Sequence, residues 1–277
     1  MNVRIVTDSA SDLPQSVADE LHIGIVPLTI RIGDQEYVDR RDLTPKQFWA
    51  LVKASPTLPE TAAPAPGLFE AAYREQVDHG ATHIVVVALS AALSATMQSA
   101  ELAARSFPEG TIRIVDSRSV SLGEGLVAAE CARLAATGAD VDAVVALAHS
   151  LVERTEVWGA LDTLDNLKKG GRIGGARALL ASALSIKPII EVRDGKVEPG
   201  GKQRTRSKAL AFLVDKLRNG GEIEHLYVLH ADCDDADEFV AMLQPYATEP
   251  IVIGDIGPVV GTHAGRGTIG IGFTRRR

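Results

Sequence analysis

Aromatic residues make up only 4% of the 277-residue chain, which leaves little material for stacking single-stranded bases. Positive charge is also in deficit. The 29 Lys and Arg are outnumbered by 36 Asp and Glu, a formal net charge of −7 that argues against a general polyanion binder, so no nucleic-acid partner is expected. There are two cysteines, Cys131 and Cys233, far apart and without a CxxC or other metal-ligand spacing. Cys131 lies in the helical run VAAECARL, where a buried thiol is expected, and such sparing use suits a reducing cytosol. The opening MNVRIVTDSASDLP meets an Asp and a Pro before an apolar signal core could form. Long apolar runs are absent too: the stretch 81–100 has no Asp, Glu, Lys or Arg but is broken by Ser, Thr and Gln. A cytoplasmic protein is expected. No GxSxG, HExxH or Walker A pattern is present.

What is present in the first half is an alternation of short β-rich runs with helical periodicity. VRIVT (3–7), THIVVVA (82–88) and TIRIVDS (111–117) read as strands buried on both faces, and IGIVPLTIRI (23–32) reads as one further strand followed by a GDQEY turn. Helices are expected after VRIVT, at TPKQFWALVKA, where Thr44 and Pro45 supply a cap and a first residue, and over 122–137 and 141–153. The second half has a different rhythm. Asp194-Gly195 between two β-like runs predicts a hairpin, with helices near 206–218 and 235–246. The expected fold class is α/β: a three-layer parallel-sheet domain over 1–150 and a two-layer mixed-sheet domain over 151–277.

Several patterns invite a chemical reading. GRGTIG (265–270) matches a dinucleotide fingerprint literally, but too few residues follow for its helix; GEGLVA (123–128) lacks the strand spacing and the acidic partner. Close packing or turns are the default for these glycines. Asp8 and Asp116 end strands, where a carboxylate could bind metal or ribose, and helix or turn capping explains them more cheaply. His263 lies in the Gly-rich GPVVGTHAGRG, where backbone can approach a ligand. Two hydroxyl clusters remain. Ser90, Ser94, Thr96 and Ser99 follow the carboxyl end of a buried strand and open a helix, and Thr61 sits in the Pro-rich LPETAAPAPGLF before another helix. Hydroxyls and free helix N–H groups suit a carboxylate or phosphate, although each is an ordinary cap by itself.

Seven stretches in order carry a resemblance: TDSASDLP (7–14), TAAPAPGLF (61–69), LSAALSATMQSA (89–100), IVDSRSVSLGEG (114–125), LKKGGRI (167–173), IKPII (186–190) and GPVVGTHAGRG (257–267). Through them the chain resembles the DegV family of bacterial fatty-acid-binding proteins along essentially its whole length. The resemblance implies a long-chain fatty acid such as palmitate as ligand, with no cofactor and no metal, held at the interface of the two domains. Its carboxylate would lie on Thr61 and Ser94, with His263 and Arg172 near the head group. Leu28, Ile30, Phe69, Leu93 and Met97 are candidates for the tunnel wall, with a plain core role as the alternative for each. Family members include the acyl-binding subunit of a fatty-acid kinase, so a non-enzymatic carrier that presents the carboxylate to a kinase subunit is implied. Departures from the family pattern are Ala62 and Ala63 for Ser-Gln, Ala91 for the second Ser and Ala95 for Gly. They leave fewer secondary polar contacts at the head group.

A sixteen-carbon chain buries about fifteen methylenes at about 0.8 kcal/mol each, roughly 12 kcal/mol before the costs of ordering it. The tail therefore supplies affinity and the head group supplies orientation. An alternative reading is an enzyme acting on a small carboxylate or phosphorylated substrate with Asp116, His263 and Arg172. Basic residues cluster at Lys168, Lys169, Arg172 and Arg177, at Lys202, Arg204, Arg206 and Lys208, and at Arg275, Arg276 and Arg277. The middle group is expected to make transient, salt-sensitive contact with anionic membrane or with the kinase, and plain solvated loops are the competing reading.

Overall fold

A computed structural model of the chain describes residues 2–181, 186–219 and 221–276. Consecutive Val and Ile in VRIVT form a strand covered from both sides, β1 (Val3–Asp8). It pairs in parallel with β2 (Gly24–Val26) and β6 (His83–Ala88), and β6 pairs in parallel with β7 (Ile112–Asp116). The order is β2-β1-β6-β7.

The run 23–32 does not form one strand. Pro27 has no N–H to give a ladder, and the N–H of Leu28 goes to Ser9 Oγ at 3.0 Å. Beyond that break the chain enters a small antiparallel sheet of β3 (Thr29–Ile32), β4 (Gln35–Val38) and β5 (Glu60–Ala62), in the order β4-β3-β5. Most of GDQEY, expected as a turn, is therefore β4. The expected helix after β1 is shorter as well: a 3-10 turn at Ser9–Ser11 precedes α1 (Gln15–Glu20). Helix α2 (Pro45–Ala54) starts as expected, with Thr44 and Gln47 forming a capping box.

Both faces of the parallel sheet are covered. On one side α3 (Pro66–Asp78) and α4 (Thr96–Ala104) pack Phe69, Tyr73 and Ala100 against Val6, Ile84 and Val86. On the other, α5 (Leu122–Ala136) and α6 (Val141–Arg154) pack Leu126, Ala129 and Val144 against Ile5, Val85 and Val87. This is the three-layer arrangement. Position 150 lies in the last turns of α6, and the next residue after that helix, Thr155, begins the second sheet.

That sheet combines β8 (Thr155–Ala160), β9 (Lys187–Arg193), β10 (Lys196–Gln203), β11 (Ile223–His230), β12 (Val252–Asp255) and β13 (Ile269–Arg275). Its order is β10-β9-β8-β13-β11-β12, and only the β11–β12 pair is parallel. Asp194 and Gly195, at φ 51° and 78°, make the β9–β10 hairpin turn, a geometry that Asp-Gly adopts at low cost. Helices α7 (Asp165–Lys169), α8 (Arg206–Arg218), α9 (Ala236–Leu243) and α10 (Pro258–Ala264) complete the half. Leu213 of α8 and Phe239 of α9 join Trp158, Val228 and Phe273 in a core on one face.

The opposite face meets α5. Gly272 makes the approach possible, because a Cβ there would meet Leu122 Cβ at 2.6 Å. Helix α5 is buried along nearly all of Leu122–Ala132, and an all-round apolar helix needs such a double burial. The glycines of GEGLVA serve this packing: a Cβ on Gly125 would meet the carbonyl oxygen of Ser11 at 2.6 Å.

Candidate functional site

The loops at the carboxyl ends of β1 and β6 face the start of α5, the β9–β10 hairpin and α10, and a cavity lies among them. It is narrow, about 100 Å³, set within about 700 Å³ of atom-free space that includes its mouth. Leu28, Leu89 and Leu93 wall it from the first half; Ile190, Val192 and Val197 from the hairpin; Val259 and Val260 from α10. Thr61, Ser94, Arg172 and His263 lie on the same wall set and supply its polar side chains.

Thr61 is held on β5, paired across from Ile30, where the flanking prolines keep the chain extended. His263 stands in the last turn of α10, and its Nε2 is 2.9 Å from Thr61 Oγ1. Burial, then the Arg172 charge, pushes His263 down to about 4, so the imidazole is neutral at neutral pH. Its Nδ1 is buried without a hydrogen-bond partner. A neutral ring carries one donor and one acceptor, and here one of the two is left over.

Ser94 belongs to the tight turn after β6, closed by the Ser94 N–H on the Ser90 carbonyl at 3.1 Å. Its Oγ lies 2.9 Å from Thr96 Oγ1 and accepts the Thr96 N–H at 3.3 Å. Arg172 reaches across from the second half. Its Nε donates to the Leu93 carbonyl at 3.1 Å and its Nη1 to the Gly170 carbonyl at 2.7 Å, which leaves guanidinium donors over. The wall thus offers two hydroxyls, an imidazole and a guanidinium, with no carboxylate among them.

Other expected residues lie elsewhere. Of the five tunnel candidates, Leu28 and Leu93 line the cavity, whereas Ile30, Phe69 and Met97 do not. Ile30 is packed in the core beneath the small sheet, and Phe69 and Met97 belong to the α3–α4 layer on the far face of the parallel sheet. A strand buried on both faces gives no sequence signal for which face a following residue will join. Ser90 is fully buried and donates to the Gly195 carbonyl at 2.8 Å, tying the hairpin tip to the first half beside an Arg118–Asp194 ion pair. Asp116 caps the next loop, accepting from the Arg118 N–H at 2.8 Å, and does not line the cavity. That separates it from His263 and Arg172, its partners in the enzyme alternative.

The basic groups also sort themselves. Lys168, Lys169 and Arg177 are exposed in the segment that carries Leu167 and Arg172 to the cavity. Arg206, by contrast, is engaged: Nε and Nη2 each meet a carboxylate oxygen of Asp235 at 2.9 Å, and Nη1 donates to the Gly267 carbonyl at 2.5 Å. It is therefore a poor element of a docking surface, contrary to expectation. Arg275 and Arg276 pair with Glu156 and Glu222, and Arg277 lies outside the described residues. Among the described residues no helix is long and apolar enough to cross a membrane, and no group of three or more His, Cys, Asp or Glu could hold a metal ion.

Sequence reasoning missed Ala10, Val120, Ile190 and the Val259–Val260 pair as wall residues. A usable signal existed, since each is an apolar residue set inside one of the seven stretches quoted above.

Fold and site together define an α/β protein of two large sheets and one small one, whose halves enclose a largely apolar cavity with one polar group of side chains. The model of the family described as "Uncharacterised protein, DegV family" matches residues 2–276, and the chain belongs to that family. A DegV domain-containing protein of Deinococcus radiodurans is 35% identical, the match covering 98% of each chain. Among solved structures, a DegV family protein from Thermus thermophilus, presented as fatty-acid binding, is 33% identical over 100% of both chains with a TM-score of 0.92. Another DegV family protein, from Ruminococcus gnavus and related to a structure with vaccenic acid, is 26% identical over 98% of this chain and 99% of that one, with a TM-score of 0.83.

Proposed function

We propose that the chain binds one long-chain fatty acid, such as palmitate, with the carboxylate on Thr61, Ser94, His263 and Arg172 and the tail along the apolar walls. The observation that carries this is the convergence of those four side chains, from both halves, on a cavity otherwise walled, among the described residues, by Leu, Val, Ile and Ala. A buried carboxylate without partners would cost several kcal/mol, and hydroxyl donors with a nearby guanidinium offset that cost. The relative from Thermus thermophilus, presented as fatty-acid binding, supports the same reading.

The role that follows is carriage rather than catalysis. The chain holds the acid and presents its head group to a separate kinase subunit. Exchange with a membrane would use Lys168, Lys169 and Arg177, exposed in the segment that carries Leu167 and Arg172 to the cavity, which add about 1 kcal/mol each near an anionic surface.

Organic extraction and mass spectrometry of protein purified without added lipid tests the central claim. About one long-chain fatty acid per chain is the expected result. No fatty acid above a control protein, and no uptake on titration with palmitate, would end it. For the membrane step, co-sedimentation with phosphatidylglycerol vesicles should be weak, salt-sensitive and reduced by Lys168→Ala with Lys169→Ala. Binding indifferent to both salt and substitution would remove it.

A further inference from the structure

Three stretches that wall the cavity meet at one buried carboxyl group. Asp12, 5% exposed, accepts from Ser121 Oγ at 2.5 Å through Oδ2 and from the Gly257 N–H at 2.9 Å through Oδ1. Ser121 follows the wall residue Val120, and its own N–H donates at 2.8 Å to the carbonyl of Ala10, another wall residue. Gly257 immediately precedes α10, which carries Val259, Val260 and His263. The glycine is what lets the carboxyl in, since a Cβ at that position would meet Oδ1 at 2.7 Å.

We propose that Asp12 is a positioning residue of the cavity: its carboxyl clasps the starts of α5 and α10 to the turn after β1, and so holds His263 against Thr61. No other side chain among the described residues bonds to both of those helix starts. Losing the clasp would leave a buried hydroxyl and a backbone N–H at a helix start without acceptors, and α10 could then shift relative to β5.

The clasp depends on pH. Burial pushes Asp12 up to about 7, against the Ser121 and Gly257 hydrogen bonds and the Arg40 charge, while Asp39 adds to the rise. Glu124 feels its charge from α5, with Asp8 of β1 beside Glu124, and Asp255 lines the adjoining groove with Asp39 and Arg40. Below about 7 the neutral carboxyl can donate to Ser121 while it accepts from Gly257. Above it the carboxyl is charged: both bonds favour that form but burial opposes it more, so opening the clasp to water becomes easier as the proton is lost. Asparagine reproduces the neutral form, with a donor and an acceptor in the same places.

The test uses the full chain, first without ligand. Amide-exchange protection factors are measured over Gly257–Ala264 at pH 6 and pH 8 for wild type, Asp12→Ala and Asp12→Asn. Expected are at least tenfold lower protection in Asp12→Ala at both pH values, a fall from pH 6 to pH 8 in wild type, and near-wild-type pH 6 protection without that fall in Asp12→Asn. Ser121→Ala, which removes one of the two bonds, should give a smaller loss and serves if Asp12→Ala does not fold. Unchanged protection in Asp12→Ala, or in Ser121→Ala should that be the one that folds, overturns the proposal, as does the same pH dependence in Asp12→Asn as in wild type. Palmitate affinity is the second readout and rests on the fatty-acid reading: more than tenfold weaker in Asp12→Ala, within threefold in Asp12→Asn. If wild type binds no palmitate but α10 still loosens in Asp12→Ala, the clasp stands and the fatty-acid reading falls.

Discussion

Two polar clusters lie close together at the carboxyl ends of the parallel strands, and the chain treats them in opposite ways. At Asp8 and Asp12 the carboxyl oxygens are used up by the protein itself: Asp8 takes the N–H groups of Ala10 and Leu89, and Asp12 takes Ser121 and Gly257. At Thr61, Ser94, Arg172 and His263 the bonds are few, and Nδ1 of His263 has none. Saturated polar atoms hold a shape, while polar atoms with capacity left over await a partner. Burial runs the same way, since Asp8 and Asp12 are among the most buried polar residues of the described chain whereas Thr61, Ser94, Arg172 and His263 are half-buried. Counting unused donors and acceptors says what the difference is for.

The comparison can be broken hardest at Asp8. Asp8→Ala leaves two buried N–H groups without acceptors, each worth about 1–3 kcal/mol, so a loss of roughly 2–6 kcal/mol of stability is expected in urea unfolding. A loss below about 1 kcal/mol would mean that those oxygens are dispensable. The reverse signature is expected at the other cluster. Thr61→Ala or Ser94→Ala should weaken fatty-acid binding by about 1–3 kcal/mol in calorimetric titration, yet change unfolding stability by less than about 1 kcal/mol. Equal effects on both quantities would erase the distinction.

The smallest effect sharpens it through pH. Burial raises Asp8 to about 6, Asp12 to about 7 and Glu124 well above the usual carboxylate range, with the charge of Asp8 adding to the rise of Glu124. Each folded value lies above the unfolded one, so the folded chain keeps protons that the unfolded chain has lost. Their contribution is complete below about 4 and is lost as pH rises through about 6 and 7. His263, depressed to about 4, works the other way, its contribution being complete only above its unfolded value near 6.5. From pH 6.5 to 7.5 the acids act alone, and stability should fall by up to about 1.4 kcal/mol per pH unit for each proton held. Thermal unfolding across that window checks it, and a rise with pH would contradict the assignment of these protons.

How much of this was legible in the sequence follows from the same distinction. The doubly buried runs at β1, β6 and β7 announce a parallel sheet, and Asp194-Gly195 announces its hairpin, because these signals are local. Thr61, Ser94, Arg172 and His263 came through the resemblance carried by motif stretches, and the cavity collects all four. Ile30, Phe69 and Met97, expected on the tunnel wall, do not line this cavity, because sheet faces are chosen by tertiary packing. The reading of 23–32 as one strand went wrong at Pro27, where the next N–H is claimed by Ser9, a residue distant in sequence. Asp12 was invisible for the same reason: its partners lie 109 and 245 positions away.

Helix α5, buried between both sheets, has a consequence for how the molecule comes into being. Its outer side is covered by β13, the last strand in chain order and a central one of its sheet, between β8 and β11. During synthesis the first half can assemble its parallel sheet, but α5 keeps an oily flank in water until Ile269–Arg275 have emerged. A chain halted before that point would present a sticky helix and an unfinished sheet edge at once, the pairing that invites aggregation and chaperone capture. The two halves are thus joint owners of one core, and neither can be exchanged for a foreign domain without exposing it.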